Sequence, residues 1–153
     1  MRSDNIFFQC FDALELKRVR GDLHSDLKLI QLIGENSWQE SSTDYDAMRT
    51  ERGMADVAAY ADGIGPEITQ LVKWPHPGAG ARLTGLSTLA HSSKLLVHAY
   101  TLRLDELPAN APSGDAVLNA LFDQAKVDGL FTDFTDFMVR FRAAHRPDPP
   151  ATP

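Results

Sequence analysis

Cysteine is nearly missing from this chain. A single thiol, Cys10, allows no internal disulfide and no Cys-rich metal site; its place in the apolar run "IFFQCF" makes it a buried small residue rather than a reactive group. Basic charge is also scarce, with 15 Lys and Arg against 21 Asp and Glu and a formal net charge of −6. That balance excludes nucleic acid or an anionic membrane as a general partner, because both need a basic footprint. No run of about 20 apolar residues is present that could cross a bilayer. The opening "MRSDNIFFQCFDALELK" has no long apolar stretch followed by small residues, so no signal peptide is read and the expectation is a cytosolic chain or one that has lost its leader. Neither GxGxxG nor GxxxxGK[ST] occurs after any apolar run, which removes both nucleotide-binding fingerprints.

What is there describes one α/β domain. The 153 residues suit a single core, and 43% hydrophobic and 24% charged residues match soluble globular proteins. Five short apolar runs bounded by Gly or Asp are expected as buried strands: Ile6 to Phe11, Leu27 to Ile33, Ala61 to Gly65, Leu95 to Thr101 and Gly129 to Phe134. Helical segments separate them. Asp12 is placed to cap "ALELKRVRGDL", with Glu15 in capping-box position, and "MADVAAYA" and "LTGLSTLAHSS" follow. Ser113 is placed to cap "SGDAVLNALFDQAKV", whose Val117, Leu118, Leu121, Phe122 and Ala125 share a face. "DFMVRFRAAH" is the last helix, and residues 146–153, with four of eight residues Pro, read as a disordered tail beyond a domain at 1–145.

The runs starting at Leu27, Ala61, Leu95 and Gly129 are equally spaced. The interval is also that of tetratricopeptide arrays, but each unit here opens with a strand-like run, which favours strand–helix units. Such units imply parallel strands with right-handed crossovers, in a doubly wound sheet or a (β/α) barrel. Five units are too few to close an eight-stranded barrel of about 250 residues.

In either architecture functional groups gather at the carboxyl ends of the strands. Alternation puts Gln9 with Phe11, and His98 with Tyr100, on common faces. His98 is open to two readings, general base or hydrogen-bonded core histidine. Asp133 is equally a metal ligand or a helix cap, and Glu35 and Glu67 are the remaining hard-cation candidates, though their spacing matches no metal motif. Lys17, Arg18 and Arg20 read as a solvated basic face, Trp74 as a loop anchor beside His76, and His24, His91 and His145 as isolated, exposed side chains.

Four segments, "QCFDALELKRV", "YADGIGPEI", "LLVHAYTLRLDELP" and "DGLFTDFTDFMVRF", resemble in order and spacing the C-terminal half of bacterial glycerophosphodiester phosphodiesterases, particularly the periplasmic branch. The resemblance runs from Ile6 to about Ala144. It implies a partial TIM (β/α)8 barrel of about five units, strands four to eight of the family barrel. It also implies hydrolysis of a glycerophosphodiester to an alcohol and glycerol 3-phosphate, a divalent cation, calcium or magnesium, on the phosphate, and two histidines as acid and base. By the same resemblance Phe11 and Tyr100 line the alcohol or glycerol side as substrate-binding residues, with Gln9 and His98 as neighbours.

The chain also departs from that family's pattern. The resemblance puts a His-Arg pair, a Glu-x-Asp metal motif and a Glu-x-Lys at the ends of the first three strands. This sequence has no Glu-x-Asp; its Glu-x-Lys, Glu15 to Lys17, falls on a helix, and its His-Arg, His145 and Arg146, lies at the tail. Cys10 stands where Ser is usual before the Phe, and Thr135 where "TDFPD" has Pro. The expectation is therefore a fragment without catalytic or metal residues and inactive alone, whose partners are a glycerophosphodiester and either a missing N-terminal half or a second copy at the open sheet edges. A non-catalytic polyol-binding or interaction module, or the remnant of a truncated gene, is the alternative.

Overall fold

Each of the five apolar runs forms a parallel strand, and the segments between them fold over one side of the resulting sheet. The computed structural model describes residues 6–145, so the expected Pro-rich tail lies outside it. The chain runs β1 (Phe7–Cys10), α1 (Ala13–Gly21), β2 (Lys28–Ile33), α2 (Tyr45–Met48), α3 (Glu51–Ala58) and β3 (Gly63–Pro66). It continues through α4 (Ile68–Leu71), a two-stranded hairpin of β4 (Val72–Lys73) and β5 (Arg82–Leu83), and α5 (Leu86–Ser92). Then follow β6 (Leu96–Leu102), α6 (Gly114–Asn119), β7 (Gly129–Thr132) and α7 (Thr135–Ala144). The sheet order β1-β2-β3-β6-β7 is all parallel, the mark of repeated right-handed crossovers.

The sheet is strongly curled. Strands three steps apart in a flat sheet lie about 14 Å from one another, yet rings from β1 and β6 touch: Phe7 and His98 centroids are 4.6 Å apart. Phe11, just past β1, meets Tyr100 at 5.9 Å. The result is a partial (β/α) barrel of five units. Glycine on the inner face permits the curl, since a Cβ on Gly63 would lie 2.7 Å from both the Leu96 carbonyl oxygen and the tip of Ile30. A Cβ on Gly65 would meet Leu32 at 2.6 Å.

The outer face carries the core. Leu29, Ile33, Ile64, Val97 and Ala99 pack with Leu16 and Val19 of α1, Met54 and Val57 of α3, and Val117 and Leu118 of α6 in one buried cluster. Ser113 caps α6 through the Ala116 amide and Asp12 caps α1 through the Leu14 amide. Leu121 and Ala125 are buried beyond α6 as its pattern demands, with Phe122 partly buried. Along β6 Val97 and Ala99 are buried, while Leu96, His98 and Tyr100 on the concave side are half-covered; an irregularity between Ala99 and Leu102 then shifts the register, so that Leu102 is buried and Thr101 exposed.

Two aspartates fasten the amino ends of the strands. Asp62, before β3, accepts from the Leu29 amide at 2.8 Å while its own amide donates to the Leu29 carbonyl. Asp128, before β7, makes the same pair of bonds with Val97 of β6 at 2.8 and 2.9 Å. In both cases an Asp-Gly at the start of one strand locks the strand beside it.

Several expectations are corrected. Strand β1 is not buried, with Phe7 37% and Phe8 38% exposed, and β7 is only partly buried, because these are the two edge strands of the sheet. Cys10 is only partly buried, and its sulfur lies 3.4 Å from the Asp12 amide that donates to it. Glu15 makes no capping box and turns to Arg18 at 2.6 Å. Arg20 is no solvated charge: it donates to the carbonyls of Tyr60, Ser25 and Leu27 and to Asp62, while Lys17 lies over the Tyr60 ring. The hairpin of β4 and β5 has no counterpart in the sequence reading, because two-residue strands carry no periodicity.

The inner-face glycine gives a direct test. Gly63→Ala is expected to destabilise the fold by about 1–3 kcal/mol through overpacking. Gly21→Ala, with open space around the added methyl, is expected to stay within about 0.5 kcal/mol of the parent. Urea unfolding followed by circular dichroism measures both, and equal effects of the two substitutions would contradict the crowding argument.

Candidate functional site

At the carboxyl ends of the strands the curl encloses a cavity of about 370 Å³, lined by Gln9, Phe11, Leu32, Tyr100, Phe131 and Thr132 among others. Three of the four residues singled out in the sequence thus come together. Phe11 stands edge-on to Tyr100, with 87° between the ring planes. The Tyr100 hydroxyl donates to the Ile33 carbonyl at 2.8 Å. Burial, and then the carboxylate of Glu67, push its phenol well above the ordinary range, so it remains a neutral donor.

Phe11 is held from behind. Gln31 is fully buried on the outer face, where its amide donates to the Phe11 carbonyl at 2.9 Å and to the Leu32 carbonyl at 3.0 Å. The Gln31 side-chain oxygen accepts from the Tyr60 hydroxyl at 2.8 Å. Tyr45, also buried, donates to the same Phe11 carbonyl at 3.3 Å and packs edge-on against the Phe11 ring. A side chain inside the outer core thereby sets where the cavity wall stands.

His98 does not join the cavity lining. It sits one layer deeper, edge-on to Phe7 and tight over Gly129, where a Cβ would approach its ring to 2.8 Å. Burial lowers its pKa most; Asp128 opposes and Lys28 reinforces that shift. It is a packed, neutral imidazole.

The other sequence candidates separate. Glu35 is gripped by Arg49 through two bonds of 2.9 and 3.0 Å and by the Gln70 amide at 2.7 Å, and these partners hold its carboxyl below the usual range. They line a separate cavity of about 470 Å³ with Lys73 and Thr84. Asp133 faces Arg103 at 3.6 Å and does not cap α7; the Thr132 hydroxyl accepts from the Phe134 amide instead. Glu67 lies on the rim in a further cavity of about 380 Å³, which shares Tyr100 and Thr101 with the inner one. Trp74 is buried and its carbonyl accepts from Asn110, as an anchor should, and His76 is exposed. His24 is exposed too, but His91 pairs with Asp128 at 3.0 Å and His145 stacks on Phe141 at 3.9 Å, so neither is isolated. Sequence reasoning passed over Trp38, a rim aromatic inside the polar stretch "GENSWQESS"; an exposed-looking Trp among polar residues was the available signal.

The glycerophosphoryl diester phosphodiesterase family model matches residues 1–137. The chain belongs to that family. It is 32% identical to a glycerophosphodiester phosphodiesterase of Treponema pallidum over 92% of its own length and 44% of the relative's. To the glycerophosphodiester phosphodiesterase of Haemophilus influenzae it is 34% identical, over 92% of this chain and 43% of that one. The chain spans less than half the length of the curated relatives it matches.

The glycerophosphoryl diester phosphodiesterase family generally uses a divalent metal. Among the described residues no three His, Cys, Asp or Glu side chains come together to hold one, and Glu35 and Asp133 are already turned to arginines. The described residues therefore do not fit the ion. No helix among the described residues is long and apolar enough to cross a membrane.

The packing of His98 has a pH signature. Its folded-state pKa is lowered from the ordinary 6.5, so its contribution to stability is whole above about pH 6.5 and declines below that as the unfolded state takes up the proton first. His98→Phe should flatten that part of the profile. Unfolding free energies at several pH values between about 7.5 and 5.5 report it, and an unchanged slope in the variant would count against the buried-neutral assignment.

Proposed function

We propose that this chain supplies one wall of the substrate pocket of a glycerophosphodiester phosphodiesterase, a phosphoric diester hydrolase that turns a glycerophosphodiester and water into an alcohol and glycerol 3-phosphate. The observation that carries the reading is the Phe11–Tyr100 pair brought together across the curled sheet at the carboxyl ends of its strands. Two aromatic surfaces suit the carbon edge of glycerol, and the exposed Gln9 amide beside them can bond a hydroxyl. His98, one layer below, supports the floor of that wall.

In this reading the calcium or magnesium ion and the acid–base histidines come from chain outside this sequence, and the chain alone binds without turning over. No release of glycerol 3-phosphate from glycerophosphocholine is expected when the chain is assayed with calcium or magnesium. Metal-dependent turnover by the chain alone would overturn that. Glycerol is expected to perturb the nuclear magnetic resonance signals of Phe11 and Tyr100, and Tyr100→Ala to abolish the effect.

The exposure of Phe7 and Phe8 on edge strand β1 supports a second reading, an interaction module that pairs through its open sheet edge with the other half of a barrel or with another copy. Light scattering separates the cases: a defined dimer supports self-pairing, whereas a monomer limits the edge to a different partner.

A further inference from the structure

The outer side of the sheet reaches the inner cavity through one buried amide. Phe11 lies one residue beyond the last pair of the β1–β2 ladder, Cys10 with Gln31, and its carbonyl is taken by side chains. The Gln31 amide nitrogen has two N–H groups, which the carbonyls of Phe11 and Leu32 accept at 2.9 and 3.0 Å. A carbonyl can only accept, so the amide must stand with its nitrogen toward Phe11 and its oxygen turned away. Gln31 is fully buried, and that oxygen therefore needs a donor inside the core. The donor is the Tyr60 hydroxyl, at 2.8 Å.

Tyr60 is itself fixed from outside. It lies in the turn after α3, its carbonyl accepts from Arg20 at 3.2 Å, and the Lys17 ammonium stands 5.2 Å from its ring centre. Burial, and then Asp56, raise its phenol well above the ordinary range, so the hydroxyl keeps its proton. We propose that Tyr60 is a positioning residue for the substrate pocket: by dictating which way the Gln31 amide stands, it sets the carbonyl, and with it the ring, of Phe11. The proposal rests on the reading of Phe11 as a wall for glycerol, and it gives a part in that site to a side chain outside the cavity lining. Without the hydroxyl, the Gln31 oxygen is buried with no donor, and the amide gains by turning or by admitting water. Either change releases the Phe11 carbonyl to its longer anchor, the Tyr45 hydroxyl at 3.3 Å, which Ser41 already shares.

Nuclear Overhauser contacts between the Phe11 and Tyr100 rings, read in the full chain without ligand, test this. In Tyr60→Phe, which keeps the ring beside Lys17, those contacts are expected to weaken and the Phe11 ring signals to shift. Gln31→Met, of similar volume but without the amide, should do the same. The double variant should go no further than either single one, because both break one relay. Val117→Ala, in α6, opens a defect in the same buried cluster without removing any of these bonds; it should lower stability and leave the ring contacts as they are. Glycerol affinity, followed by the same signals, should fall about fivefold in Tyr60→Phe, the worth of one ordinary hydrogen bond. Unchanged ring contacts in Tyr60→Phe and Gln31→Met, additive effects in the double variant, an equal change in Val117→Ala, or a glycerol affinity that does not fall would overturn the assignment. Because the ring contacts are read without glycerol, a parent chain that binds no glycerol refutes the pocket reading while those contacts still decide the relay.

Discussion

The exchange of bonds between an aspartate and the strand before it underlies the arrangement of this molecule. Asp62 holds Leu29, and Asp128 holds Val97, each through its carboxylate and its amide. A parallel strand pair has no hairpin to fix its register, so something at the amino end must do so. With the amino ends fixed, the carboxyl ends line up too, and the side chains there share a rim. Asp62 also receives Arg20 of α1, which in turn bonds the carbonyls of Tyr60, Ser25 and Leu27. One carboxylate thus ties a helix, a loop and two strands.

From that base the curl follows from what the inner face lacks. Gly63, Gly65 and Gly129 present no side chain there, so Ile30, Leu32 and His98 can lie across their neighbours. Rings on β1 and β6 then meet over the gap, and the outer core, built of alternate residues on the same strands, is free to pack ordinary helices. The site and the core therefore use opposite faces of one set of strands. Gln31 links them: it belongs to the outer face, yet its amide grips the carbonyl of Phe11.

Much of this was legible in the sequence. All five strands, the parallel topology, and the helices capped by Asp12 and Ser113 could be read because apolar runs, capping residues and Asp-Gly boundaries are local signals. The meeting of Gln9, Phe11 and Tyr100 was reachable from strand alternation combined with family resemblance. What escaped depends on contacts between distant residues. Nothing local distinguishes Arg20 from a solvated cation, or His91 from an isolated histidine, until Asp62 and Asp128 arrive from other units. The exposure of β1 was hidden for a similar reason: "IFFQCF" looks like any buried strand, and only its place at the edge of the sheet uncovers it.

The bare inner face of β3 bears on how such a pocket can change. Where Gly63 and Gly65 stand, the neighbours Ile30, Leu32 and the Leu96 carbonyl already fill the space a side chain would take. This central strip offers evolution almost no material for altering ligand preference, since any replacement disturbs the sheet before it reaches a ligand. Room for a different side chain exists instead on the flanking strands and on the loops above them, where Phe11, Trp38 and Tyr100 sit. The middle of the groove acts as a keel, and its two sides are where a substitution can reach a ligand without disturbing the sheet.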